Sequence, residues 1–178
     1  MIDFFYSIDL EILYFFNHSL SLPLLDRFFG TITNVNNWYL AYIILLSISF
    51  FKGGIKGKLA VAGVIILIII TDQLSHNVIK ELIQRERPCN ALKNVITPLG
   101  CGGTFSFPSN HAFNNFAAAA FFFILYPNLK WPLFISAFLV SVSRIYLGLH
   151  YPSDVLAGII LGVLFGFLIA KIVLIINQ

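Results

Sequence analysis

The chain has 178 residues, 58% of them hydrophobic and 11% charged, with a formal net charge of +3 and a mean hydropathy of +0.88. A soluble globular domain carries about 45–50% apolar and about 25% charged residues, and a core this small could not hide the surplus from water, so an ordinary soluble domain is excluded. Disordered and repeat architectures are excluded too, because no charge block, low-complexity tract or fixed-period repeat occurs.

The composition predicts an all-α, polytopic membrane bundle. About five transmembrane helices are expected behind N-terminal interfacial helices, or six in all, in one membrane-embedded domain covering 1–178. The opening Met1-Ile2-Asp3-Phe4-Phe5 has no basic n-region and no small-residue cleavage site, so the mature chain is expected to begin at Met1. Residues 1–35 read as interfacial. The apolar run Ile12 to Phe16 is too short to cross a bilayer core of about 30 Å, and Leu24, Leu25, Phe28, Phe29, Ile32 and Val35 recur at helical spacing after Pro23, the pattern of a helix lying on a surface.

The bundle occupies 36–178. A first span runs from Trp38 to Phe51 and ends at the basic turn Lys52 to Lys58. The second runs from about Leu59 into a helical extension reaching Gln84, polar from Thr71 onward. After the long loop Glu86 to Phe107, a third span begins at Pro108-Ser109 and ends near Tyr126-Pro127, a fourth covers Trp131 to about Leu147, and a fifth Pro152 to about Ile176. Alternating these spans puts Gln84, Ser109, Arg144 and Asp154 on one membrane face and Lys52, Lys56, Lys58, Lys130 and Lys171 on the other. Short lysine-rich connections stay cytoplasmic, so the first face is expected to point outward.

The loop carries both cysteines, Cys89 and Cys101. On the outward face a disulfide can form, with two reduced thiols as the alternative; no second pair of soft ligands stands near enough for zinc.

Charged groups near membrane depth are costly and mark function. They gather in three clusters, at 80–88, 108–111 and 143–154. Lys80 and Arg87 lie seven residues apart, a separation that brings two cations to one side of a continuous helix. Pro108, Ser109, Asn110 and His111 open a span, and the free N–H groups of a helix start favour an anion. Ser143 and Arg144 precede His150 and Asp154, where a carboxylate four residues after a histidine can orient the ring and stabilise its positive charge. Three cations, a helix N-terminus, two histidines and one carboxylate describe a site for a highly charged oxyanion, phosphate above all. With no carboxylate cluster, no metal or other cofactor is expected, and no glycine signature supports nucleotide use.

Lys80 through Arg87-Pro88, Pro108-Ser109-Asn110-His111, and Ser143-Arg144 with His150 and Asp154 together resemble the three-part signature of the type 2 phosphatidic acid phosphatase superfamily. The resemblance spans about residues 70–160 and departs at Asn110, where the family usually has glycine. It implies a helical membrane bundle and a phosphohistidine mechanism. His150 would attack phosphorus, Asp154 would orient its ring, and His111 would protonate the leaving oxygen and then activate water. Lys80, Arg87, Ser109, Asn110 and Arg144 would hold the phosphoryl oxygens.

The implied activity is hydrolysis of a phosphomonoester or pyrophosphate on a lipid in a bacterial inner membrane, with undecaprenyl pyrophosphate, lipid A phosphate and phosphatidylglycerophosphate as possible substrates. The partner is then the membrane lipid itself, without nucleic acid or an obligate protein partner. A phosphotransferase using the same site and a catalytically silent lipid-binding protein are the alternatives. A soluble haloperoxidase with this type of site is excluded by the composition.

Overall fold

The computed structural model describes residues 2–103 and 105–178, with side chains from residue 4 onward. Its order is α1 (Ile2–Tyr14), α2 (Pro23–Thr33), α3 (Tyr39–Lys52), α4 (Gly54–Gln73), α5 (Lys80–Ile83), α6 (Pro88–Ala91), α7 (Asn110–Leu125), α8 (Lys130–Tyr146) and α9 (Pro152–Ile176). A π-helical segment, Leu74–Ile79, joins α4 to α5 without a break in the rod. Among the described residues the sole β pairing is an isolated bridge between Glu86 and Phe105.

Three helical rods are long and apolar enough to cross a membrane, Gly54–Ile83, Pro127–Tyr146 and Pro152–Ile176. The helices expected as the first and third spans are shorter, 14 residues in α3 and 16 in α7, or about 21 and 24 Å of rise. The second span starts earlier than expected, at Gly54 rather than near Leu59. Lys56 and Lys58 are therefore on its opening turns, and the connection to α3 narrows to Gly53.

Packing centres on α7, which lies against α4, α8 and α9. Helix α9 repeats a small residue every fourth position, Gly158, Gly162, Gly166 and Ala170, and turns that row toward α7. A Cβ at Gly158 would stand 2.7 Å from the Ser109 carbonyl oxygen, and one at Gly162 2.5 Å from that of Phe113. Lipid tails are as apolar as leucine, so helices in a bilayer gain by close backbone approach rather than by burying oil. Farther from the site, Ala60, Val64 and Leu67 of α4 pack with Phe121, Leu125, Ala170 and Val173.

This seam positions the chemistry, because it sets the start of α7 against the start of α9. The Ser109 N–H donates to the Asp154 carbonyl at 3.0 Å. The α8–α9 turn passes through Gly148 at φ +70°, a conformation glycine adopts without steric cost. Both expected N-terminal helices form, and each buries a polar side chain, Asp9 in α1 and Thr33 in α2. Asn17 bonds the Tyr146 carbonyl at 2.7 Å and both backbone groups of Ile96, each at 2.8 Å, tying the long loop to the end of α8.

Candidate active site

A cavity of about 180 Å³ is lined by Lys80, Arg87, Asn110, His111, Arg144 and His150, among others. These residues come from the α5 rod, the loop after it, α7, α8 and the α8–α9 turn. The structure thus draws the three sequence clusters onto one void.

Lys80 and Arg87 reach it by a different route from the expected two helical turns. The rod ends at Ile83, Gln84 turns the chain at φ +50°, and Arg87 follows in extended backbone as the N-cap of α6. Lys80 Nζ donates to the Phe105 carbonyl at 2.8 Å. Arg87 Nη1 donates to the Leu149 carbonyl at 3.3 Å and lies 3.2 Å from His150 Nε2. Gly103 covers the guanidinium at φ +88°, where a Cβ would stand 2.9 Å from Arg87 Nη2. Its loop is closed by a Cys89–Cys101 disulfide with the Cα atoms 5.9 Å apart.

Ser109 is the N-cap of α7 but makes no side-chain cap bond, and its hydroxyl is buried without a partner. Pro108 lies outside the helix. The Asn110 side chain faces α4, accepting from Ser75 Oγ at 2.6 Å and donating to Asp72 Oδ1 at 3.4 Å, which leaves its backbone N–H in the open first turn. Thr33, at the end of α2, supports two site residues: its hydroxyl accepts from Arg144 Nη1 at 2.7 Å, and its carbonyl lies 3.3 Å from His111 Nε2.

His150 is 2% exposed. Because Arg87 can only donate, the His150 Nε2 beside it is the acceptor nitrogen, which places the ring proton on Nδ1 toward Asp154. That contact is 3.6 Å between Nδ1 and Asp154 Oδ2, longer than a hydrogen bond. Asp154 is committed elsewhere. Its Oδ2 accepts the Tyr151 N–H at 2.9 Å, and its Oδ1 accepts from Arg85 Nη1 at 2.7 Å. Asp154 is thus one carboxylate shared among a histidine, an arginine and a helix start. Burial first, and then the Arg144, Arg87 and Lys80 cations, pushes the His150 imidazole well below its ordinary value of 6.5, which keeps Nε2 unprotonated.

The electrostatic balance of the void is one-sided. Lys80, Arg87 and Arg144 are 4%, 9% and 8% exposed, and among the described residues none of them is paired with a carboxylate. Buried side-chain atoms without a hydrogen-bond partner include Arg87 Nε, Arg144 Nε, Ser109 Oγ and His150 Nδ1. Among the described residues no three His, Cys, Asp or Glu side chains form a metal-holding group.

Four residues near the site carried no assigned role in the sequence reading: Thr33, His76 on the cavity wall, and Arg85 with its partner Asp9. Asp9 and Arg85 had a usable signal, as charges in an apolar chain. Thr33 had none.

Residues 60–177 match the PAP2 superfamily. The chain is 36% identical over 177 residues to the lipid A 4'-phosphatase of Bacteroides thetaiotaomicron, covering 94% of this chain and 78% of that one. It is 39% identical over 121 residues to phosphatidylglycerophosphatase B of Bacillus subtilis, covering 60% and 56%. Among solved structures, the PAP2-type phosphatidylglycerolphosphate phosphatase of Bacillus subtilis superposes with a TM-score of 0.74 at 28% identity, over 94% of this chain and 85% of that one.

Proposed function

The chain belongs to the PAP2 superfamily, and from that premise we propose that its cavity takes the phosphoryl group of a membrane lipid and transfers it first to His150 and then to water. The protein is an integral membrane lipid phosphatase. What carries the detailed reading is the set of three buried cations without carboxylate partners, together with the orphaned donors of Arg87, Arg144 and Ser109. A buried charge or donor left unpaired is expensive, and a tetrahedral oxyanion in the cavity offers an acceptor to the cations that line it.

His150 Nε2 attacks phosphorus, forming a P–N bond as the P–O bond to the lipid breaks. His111, on the first turn of α7, gives the departing oxygen its proton and then takes one from the water that releases phosphate. Lys80, Arg87, Arg144, Ser109 and the Asn110 N–H hold the non-bridging oxygens where charge builds in the transition state.

The substrate is a phosphomonoester or pyrophosphate on a lipid. The names of the relatives favour lipid A phosphate and phosphatidylglycerophosphate, and undecaprenyl pyrophosphate belongs to the same chemical class. Helices α3, α4–α5, α7, α8 and α9 supply five crossings of a bacterial inner membrane. Lys52, Lys56, Lys58, Lys130 and Lys171 lie at the cytoplasmic ends, and the cavity opens to the periplasm.

The test is phosphate release in detergent from each of the three lipids, with a chelator present, beside His150→Ala. Release by the wild type and its loss in the variant are expected. Turnover by His150→Ala would refute the nucleophile, and transfer of label to an added lipid alcohol instead of water would make the enzyme a phosphotransferase.

A further inference from the structure

Outside the cavity, the N-terminal helix places a carboxylate in a buried charge network. Asp9 is 6% exposed. Its Oδ2 receives Arg85 Nη2 at 2.7 Å and the Ser153 hydroxyl at 2.5 Å, and its Oδ1 receives the Ser153 N–H at 2.8 Å. The other arm of Arg85 donates to Asp154 Oδ1 and to Ser153 Oγ, both at 2.7 Å. The guanidinium carbon lies 3.9 Å from the centre of the Tyr151 ring. One arginine is thus forked between two carboxylates that are 145 residues apart in the chain, and one of them faces His150.

We propose that Asp9 and Arg85 are positioning residues for the phosphoryl transfer, acting through Asp154 on His150. The inference rests on the reading of His150 as nucleophile. When Nε2 forms the P–N bond and keeps its proton on Nδ1, the ring becomes positively charged, as the lipid oxygen leaves with the proton from His111. That charge arises 3.6 Å from Asp154 Oδ2. If Arg85 belonged to Asp154 alone, it would cancel the carboxylate that the ring requires. Because Asp9 shares Arg85, two carboxylates and one guanidinium leave one net negative charge behind the histidine. The same contacts fix the geometry, since Asp9 holds the first turn of α9 through Ser153 while Arg85 holds the Asp154 carboxylate. Helix α1 is on this account part of the catalytic apparatus as well as a membrane-surface element.

Asp9→Asn keeps the size but removes the shared charge, and its NH2 group, a donor only, takes the place of one of the two accepting oxygens. It is expected to lower kcat about tenfold, the scale of one charge-assisted hydrogen bond, with KM within about twofold, because the oxyanion ligands are untouched. Arg85→Lys should retain more activity than Arg85→Gln, and the exposed Glu11→Gln on the same helix should match the wild type. Each variant is measured as purified full-length protein, with thermal unfolding to normalise for the folded fraction. Trapping of the acid-labile phosphoenzyme after rapid mixing should show slower formation in Asp9→Asn. A wild-type kcat in Asp9→Asn, or a loss that disappears after normalisation, would overturn the inference. Turnover by His150→Ala would instead refute the nucleophile reading itself, so the two failures are distinguishable.

Discussion

Arg87→Lys keeps a positive charge at the cavity but removes the planar fork, whereas Arg87→Ala removes both. In the structure Nη1 is occupied by the Leu149 carbonyl and His150 Nε2, while Nε is buried without a partner, so the guanidinium has donors to spare for an oxyanion. A hydrogen bond to a charged group is worth about 1.5–3 kcal/mol, and losing two of them costs about 3–6 kcal/mol. At about 1.4 kcal/mol per tenfold, Arg87→Ala should lower kcat/KM by about 10²–10⁴. A lysine restores the charge and one donor, so Arg87→Lys should lose only about 10–10². Initial rates of phosphate release from a short-chain lipid phosphate in detergent give kcat/KM directly, and inhibition by inorganic phosphate should weaken in the same order. A folded Arg87→Ala protein within about threefold of the wild type would refute the assignment of this pocket to the phosphoryl oxygens.

Gly103→Ala places a methyl 2.9 Å from Arg87 Nη2 at φ +88°, and should lower kcat/KM by displacing that guanidinium, as steady-state kinetics will test. Gly162→Val intrudes on the Phe113 carbonyl and Ala117 N–H and should cost about 1–3 kcal/mol or more, seen as a lower midpoint of thermal unfolding in detergent. Reducing Cys89–Cys101 opens a 13-residue loop and should cost about 3 kcal/mol; labelling of either thiol should require prior reductant. Because burial and three cations hold His150 below its ordinary value of 6.5, its imidazole stays neutral on acidification through that value and is protonated only further down. The acid limb of the free-enzyme profile that reports this group should therefore lie well below the ordinary histidine value, and should move upward, relative to each variant's own plateau, when Arg144→Met removes one of the opposing cations.

The lipid environment was legible because hydrophobic content is additive along the chain and needs no contacts. The boundaries of α9 matched from Pro152 to Ile176, where a proline start and an unbroken apolar run leave little choice. The start of α4 is hidden in the sequence, because lysines and glycines at 54–58 resemble a turn even though the helix carries them at its start. The convergence of Lys80 and Arg87 on one void was anticipated from a periodicity that does not apply, since the rod ends before Arg87.

Local spacing was sufficient to nominate residues that the fold brings to one cavity, because each motif is a few residues long and its character resides in the residue types. The distribution of charge among them was beyond its reach. Asp154 lies four residues from His150 in the chain, yet its shorter contact is to Arg85, 69 residues away, and the second arm of Arg85 goes to Asp9, 76 residues away. Coulomb energy depends on distance and burial, and only the packing of α1, α7 and α9 sets those. The same holds for Thr33, which meets Arg144 across 111 residues. Composition decided the solvent and the motifs decided which charged residues stand out; the tertiary structure decided which cation is paired with carboxylates and which are left unpaired around the cavity.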